Sequence, residues 1–170
     1  YPNNVEFKNG LAISCERQGN THAKLGDLDK ALEYFEEYSR LEKELHEAYP
    51  NNVEFKNGLA ISFSKLGDTH TALGDLDKAL EHYEEYCRLK KELHEAYPNN
   101  VEFKNGLAVS YSRLGETLIK LSDLNEENRT KAKEYYILAK EIWSELVYRC
   151  PQYAEFKNNL DWVESKLSEL

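Results

Sequence analysis

Methionine is absent from this sequence, and proline, cysteine and tryptophan are scarce: four, three and two among 170 residues. Without Met at position 1 or elsewhere, the chain is expected to be a piece of something longer. Cys15, Cys87 and Cys150 are an odd number, far apart and without CxxC spacing, so neither a disulfide framework nor a zinc site is expected. Free thiols fit a reducing, cytoplasmic setting. No run of 18 apolar residues exists to span a membrane, and no apolar h-region opens the chain. Positive charge is the minority sign, 22 Lys and Arg against 31 Asp and Glu, for a net charge of -9 and a pI near 5.1. Nucleic acid requires clustered Lys and Arg to displace counterions. Here bases are interleaved with acids, as in Arg40-Leu-Glu-Lys-Glu, a pattern of solvated helix faces with i,i+4 pairs such as Glu36 with Arg40. Excess negative charge also disfavours anionic membranes.

The few prolines are regularly placed. Tyr1-Pro-Asn-Asn-Val-Glu-Phe-Lys-Asn-Gly returns at Tyr49 and again at Tyr97, and residues 1–48 and 49–96 differ at only 11 positions. A sequence that restarts every 48 residues is one structural unit written several times.

Within the unit, Pro50 stops what precedes it. Asn51 with Glu54 predicts an N-cap and its capping-box partner, repeated as Asn3 with Glu6 and Asn99 with Glu102. Phe55, Leu59, Phe63, Leu66, His70 and Leu73 follow at spacings of three and four, a helical seam. Gly74 closes that helix and Asp75 caps the next, whose buried side is marked by Ala79, Tyr83, Tyr86, Leu93 and Tyr97, with Leu76, Leu80 and Cys87 beside them. Pro98 ends it. Each unit is therefore two antiparallel helices of about 20 residues, roughly 30 Å long. Neither helix covers its apolar stripe alone, and each pair must lean on the next. Gly10, Gly58 and Gly106 lie inside the first helices, where Gly costs about 0.8–1 kcal/mol against Ala. Their recurrence predicts that a neighbouring backbone comes close.

Leu66-Gly67, His70, Leu73-Gly74, Ala79 and Tyr83 resemble the tetratricopeptide repeat (TPR) signature. The third unit offers Leu114-Gly115, Leu118, Leu121, Ala132 and Tyr136. The first offers Gly19, His22, Leu25-Gly26, Ala31 and Phe35, with Gln18 and Cys15 where Leu and a large apolar residue are usual. The family unit has 34 residues; this one has seven more per helix, and Tyr38 and Tyr86 stand where a small Ala is usual. The resemblance implies an all-α, right-handed α-solenoid of antiparallel helix pairs: repeats at 1–48, 49–96 and 97–150, then a C-terminal capping helix at 151–170, together one domain. The third unit carries a five-residue insertion in its turn around Leu121-Ser-Asp-Leu-Asn, read as drift in a tolerant loop. Asn128-Arg-Thr is a formal glycosylation sequon and is read as coincidence. After Pro151, the seam Phe156, Leu160, Val163 and Leu167 backs onto a polar face of Asp161, Glu164, Lys166 and Glu169, as a capping helix requires. The first pair has no such cap, which leaves self-association or further repeats open to it.

No GxxxxGK[ST], GxGxxG or GxSxG motif is present. His46-Glu-Ala-Tyr-Pro and His94-Glu-Ala-Tyr-Pro begin like HExxH, but proline replaces the second histidine and removes the i,i+4 ligand pair. His22 and His70 occupy seam positions and are read as packed residues. Catalysis, a metal and a cofactor are therefore not expected. The family instead implies protein or peptide binding on the concave face lined by first helices. Its usual positions carry over to Glu16, Asn20 and Lys24 in the first unit, Ser64, Asp68 and Thr71 in the second, and Ser112, Glu116 and Lys120 in the third. The extra turns add Asn9, Asn57 and Asn105 on the same side. With acids among the bases, a basic or neutral polar peptide is expected there. The alternative is a spacer, sensor-arm or self-association segment of a larger signalling protein.

Overall fold

A computed structural model describes residues 5–122 and 125–170. It contains α1 (Val5–Lys24), α2 (Leu28–Ala48), α3 (Val53–Leu73), α4 (Leu76–Ala96), α5 (Val101–Lys120), α6 (Glu126–Arg149) and α7 (Ala154–Ser168), with no strand among the described residues. The chain divides into two compact units, Tyr1–Leu89 and Lys90–Leu170.

In the first unit α2 packs on α1 and on α3. The short Leu25–Asp27 connection makes α1 and α2 antiparallel neighbours. Ala12, Cys15, Ala31, Phe35, Tyr38, Leu41 and Leu66 form its core. In the second unit α6 packs on α5 and α7, with Ala108, Tyr136, Ala139, Trp143, Leu146, Phe156 and Val163 in the core. Burying one Leu- or Phe-sized side chain contributes about 1.5–3 kcal/mol. Asp161 of α7 stands at the repeat position that Ala12, Ala60 and Ala108 hold fully buried, and there it is exposed. Trp162 turns inward and meets the Tyr136 ring edge-on at 5.8 Å.

The helix ends follow local chemistry. Gly74 closes α3 at φ 82°, a left-handed conformation that disfavours a Cβ. The Asp75 side chain accepts the Lys78 amide at 3.3 Å and caps α4. The start of α3 corrects the expected cap. Asn52, not Asn51, accepts the Glu54 and Phe55 amides at 2.9 and 3.3 Å, and Asn100, not Asn99, accepts that of Phe103 at 3.0 Å. The cap is the residue directly ahead of the first helical one, and Asn52 and Asn100 hold that place with extended backbone. The Asn3 cap and the turn residues Asp123 and Leu124 lie outside the described residues.

Three more expectations change. Tyr97 is exposed, not buried: it lies past the last turn of α4 and meets the Phe103 ring edge-on at 5.9 Å. Arg40 pairs with Glu37 and Glu44, one turn away on either side, and not with Glu36. Of the intrahelical glycines, Gly58 and Gly106 face side chains, not backbone, and Gly10 has nothing within 4 Å. A methyl group built at Gly58 would overlap the Glu42 carboxylate, and one at Gly106 would lie 2.9 Å from Lys90 Cε.

Candidate functional site

Repetition sets the α2–α3 contact that organises the first unit. Tyr38, in place of the family's small Ala, donates its hydroxyl to the Gly58 carbonyl at 3.2 Å. One turn on, the Glu42 side chain lies over Gly58, almost fully buried. Its Oε2 has no hydrogen-bond partner. Burial, with the neighbouring Glu16 charge, pushes the Glu42 carboxyl up to about 7. The same repeat position is Lys90 in the second unit. It is buried over Gly106, its Nζ is 5.9 Å from the Phe103 ring centroid, and desolvation lowers it to about 8.

The first helices carry the expected binding residues. Asn20 of α1 and Asp68 of α3 line one cleft of about 220 Å³, floored by Phe35 of α2 and walled by Lys65 and Thr69. Glu16 accepts a hydrogen bond from Asn20 Nδ2 at 3.4 Å. The Tyr83 hydroxyl donates to Asp68 Oδ1 at 2.7 Å and lies 3.4 Å from Thr71 Oγ1. Asp68 is thus aimed by a buried ring, and Gly67 makes room for that ring. Asn9, Asn57 and Ser64 are half-buried, and Lys24 is exposed at the end of α1.

In the second unit Ser112 and Glu116 of α5 border a cleft of about 270 Å³ with Arg113, Trp143, Asn159 and Trp162. Ser112 is itself buried, its hydroxyl spent on the Val109 carbonyl at 2.8 Å. Glu116 pairs with Arg113 at 3.3 Å. Glu116 and Lys120 border a further, mostly apolar cleft with Ile119, Tyr136 and Leu170. Asn105 is drawn into packing, where its side-chain oxygen accepts the Trp143 indole N–H at 2.8 Å.

Sequence reasoning passed over Lys65, Arg113, Asn159 and both tryptophans. Lys65 and Arg113 adjoin Ser64 and Ser112, so the helical register already pointed to them. Trp143 replaces the Glu42/Lys90 position, a change visible only once the units are aligned through the insertion.

Both histidines expected on the seam are packed against rings. His70 is buried and stacks on His82 at 5.2 Å, and His22 stacks on Tyr34 at 5.4 Å. Among the described residues, no helix is long and apolar enough to cross a membrane.

Residues 11–92 match the family model described as tetratricopeptide repeat. Over those residues the chain is a TPR-like helical repeat. Its all-helical architecture is that of an α-solenoid, and its 48-residue period marks it as a long-helix variant of the repeat. TPR segments are non-catalytic scaffolds that generally mediate protein–protein interaction. A de novo designed helical repeat protein is similar at 19% identity and TM-score 0.47, covering 97% of this chain and 93% of that one. A TPR repeats protein from Bacteroides fragilis is similar at 17% identity and TM-score 0.40, covering 91% and 83%. No curated protein matches the sequence.

Proposed function

We propose that this TPR-like chain is a protein-interaction scaffold that holds a peptide or short helix against its first helices, on the concave face. The observation that carries the reading is the convergence of Asn20 and Asp68 on one cleft over Phe35. An apolar floor with a few fixed polar groups is the form such sites take. Asp68, held by the Tyr83 hydroxyl, offers an oriented carboxylate. Glu16 adds a second acid beside Asn20, so a basic or neutral polar peptide is the partner class. Asn9, Asn57, Ser64, Thr71 and Lys24 are the further first-helix residues of the proposed face. In the second unit Glu116 and Lys120 are the corresponding residues, while Ser112 and Asn105, at the same repeat positions, are spent on the Val109 carbonyl and the Trp143 indole. The three free cysteines fit a cytoplasmic setting.

The test is selection of peptides from a displayed library on the intact protein, followed by titration against Asn20→Ala and Asp68→Asn. Asp68→Asn keeps an acceptor for Tyr83 and removes the charge. Selected peptides rich in Lys or Arg should bind at least tenfold more weakly to Asp68→Asn. Peptides that bind both variants as well as the parent would show that the groove is unused, which is the outcome the spacer or self-association reading requires.

A further inference from the structure

One layer of stacked rings recurs between paired helices, and its chemistry changes along the chain. Between α1 and α2, His22 stacks on Tyr34 at 5.4 Å. Between α5 and α6, Tyr111 stacks on Tyr135 at 5.8 Å, and Leu118 holds the repeat position of His22. Between α3 and α4 the layer is two imidazoles. His70 stacks on His82, with ring centroids 5.2 Å apart and planes 18° from parallel. His70 is 6% exposed, and Phe63 lies against His82 at 6.0 Å.

The surroundings balance one proton on this pair and not two. Asp75 Oδ2 lies 3.8 Å from His70 Nδ1, and Lys78 holds the Asp75 carboxyl below the usual carboxylate range. Asp75 is therefore an anion wherever histidine titrates. On α4, Glu81 favours a charge on His82 and Lys78 opposes it. On the α1 and α2 side, the core that Phe63 packs against brings the Cys15 thiol and the Tyr38 hydroxyl. Burial pushes both up, so both are neutral there. A second proton sets two cations face to face inside the pair. His82 is accordingly held below its ordinary 6.5, by burial first and by His70 next.

We propose that the His70–His82 stack is a pH-operated latch on the α3–α4 pair, closed at neutral pH and loosened in mild acid, where the second proton is accepted only as the two helices part at this layer. The sign follows from linkage. Above 6.5 neither the stacked nor the parted rings hold protons, and the latch costs nothing. Below it the parted rings bind protons that the stacked rings refuse, and the closed form loses ground. The release reaches Asp68. Tyr83 follows His82 on α4, and its hydroxyl donates to Asp68 Oδ1 at 2.7 Å and lies 3.4 Å from Thr71 Oγ1, next to His70 in sequence. Parting the rings draws Tyr83 away from both. An Asp68 no longer aimed by that ring is a poorer acceptor for a basic peptide. This last consequence rests on the function proposed above, whereas the latch does not.

The repeat supplies its own control substitutions. His82→Tyr places there the residue of Tyr34 and Tyr135, and His70→Leu that of Leu118. Two signals are followed from about pH 7.5 to about pH 5. One is amide-exchange protection at Thr69–Leu73, corrected for the intrinsic pH dependence of exchange. The other is the Tyr83 ring resonance, assigned with Tyr83→Phe. In the parent, protection should fall about tenfold, the scale of a like-charge contact at this separation. The Tyr83 resonance should move with the midpoint of the His82 titration. Both variants should keep their protection across the same range. Glu42 also titrates there, at about 7, but is common to parent and variants. Neither signal needs a ligand, so an unused groove would leave both intact. Three results overturn the proposal: protection in the parent that does not change, a fall that survives both substitutions, or a Tyr83 resonance that stays fixed while His82 titrates.

Discussion

Replacing Glu42 with Gln should stabilise the protein, and should do so only above mildly acidic pH. Glu42 is 4% exposed, its Oε2 has no hydrogen-bond partner, and its carboxyl titrates at about 7 against an ordinary value of 4.5. Desolvation is the larger cause and the Glu16 charge the smaller. The sign follows from linkage. A carboxyl whose folded pKa is raised costs nothing below 4.5, where folded and unfolded chains both hold the proton. Between 4.5 and 7 the unfolded chain releases it while the folded chain keeps it, and stability falls. Above 7 the whole cost is present, on the order of 3 kcal/mol at about 1.4 kcal/mol per pH unit. Gln fills the same space over Gly58 without ionising, but its amide brings hydrogens that need partners, at about 1–2 kcal/mol. The expected net gain is about 1–2 kcal/mol at pH 8, and at pH 4.5, where only the amide penalty remains, the expected change is a net loss of about 1–2 kcal/mol. Urea unfolding followed by far-ultraviolet circular dichroism at both pH values measures it. Tryptophan fluorescence does not serve, because Trp143 and Trp162 both lie in the second unit. Other carboxylates titrate in the opposite direction, such as Glu37, held low by Arg40. They contribute equally to parent and variant and cancel in the difference. A gain of the same size at both pH values, or no gain at pH 8, would refute the reasoning.

Lys90 should show the mirror image. Its folded pKa is lowered to about 8 from 10.5, so its cost is fully present below 8 and disappears as pH rises through 10.5. Lys90→Met should raise the urea midpoint at pH 7 by the equivalent of about 1–2 kcal/mol, after loss of the Phe103 contact, and the difference should close by pH 10.5. The glycines separate two effects of one substitution. Gly67→Ala places a methyl 2.5 Å from Tyr83 Cε1, on a ring fixed by Asp68. Thermal melting should show a net loss of about 1–2 kcal/mol, overpacking outweighing helix propensity. Gly10→Ala meets nothing within 4 Å and should gain about 0.5–1 kcal/mol.

What the sequence reveals and what it hides divide along a physical line. The helices were legible because their signals are local and repeated: a seam at spacings of three and four, a left-handed Gly74, an Asp75 that caps. The cap at Asn52 was misplaced by one residue because two asparagines stand side by side and only backbone geometry chooses between them. The glycines were legible as close contacts, but their partners lie far along the chain. Gly58 meets Glu42, and Gly106 meets Lys90. No periodicity reveals that an acid and a base fill the same buried slot in successive units. On a repeat pattern both read as surface charge, one more Glu or Lys on a helix rich in them. The candidate cleft divides in the same way. Register alone places Asn20 and Asp68 on the first helices, whereas the fixing of Asp68 by Tyr83 and the capture of Asn105 by Trp143 depend on second-helix rings that reach across the pair. The near-identity of residues 1–48 and 49–96 makes that limit sharper. Leu11 and Leu59 have the same neighbours in sequence, yet one is open and the other buried. Burial in a repeat is therefore set by what stacks on each unit, which a unit's own sequence does not contain.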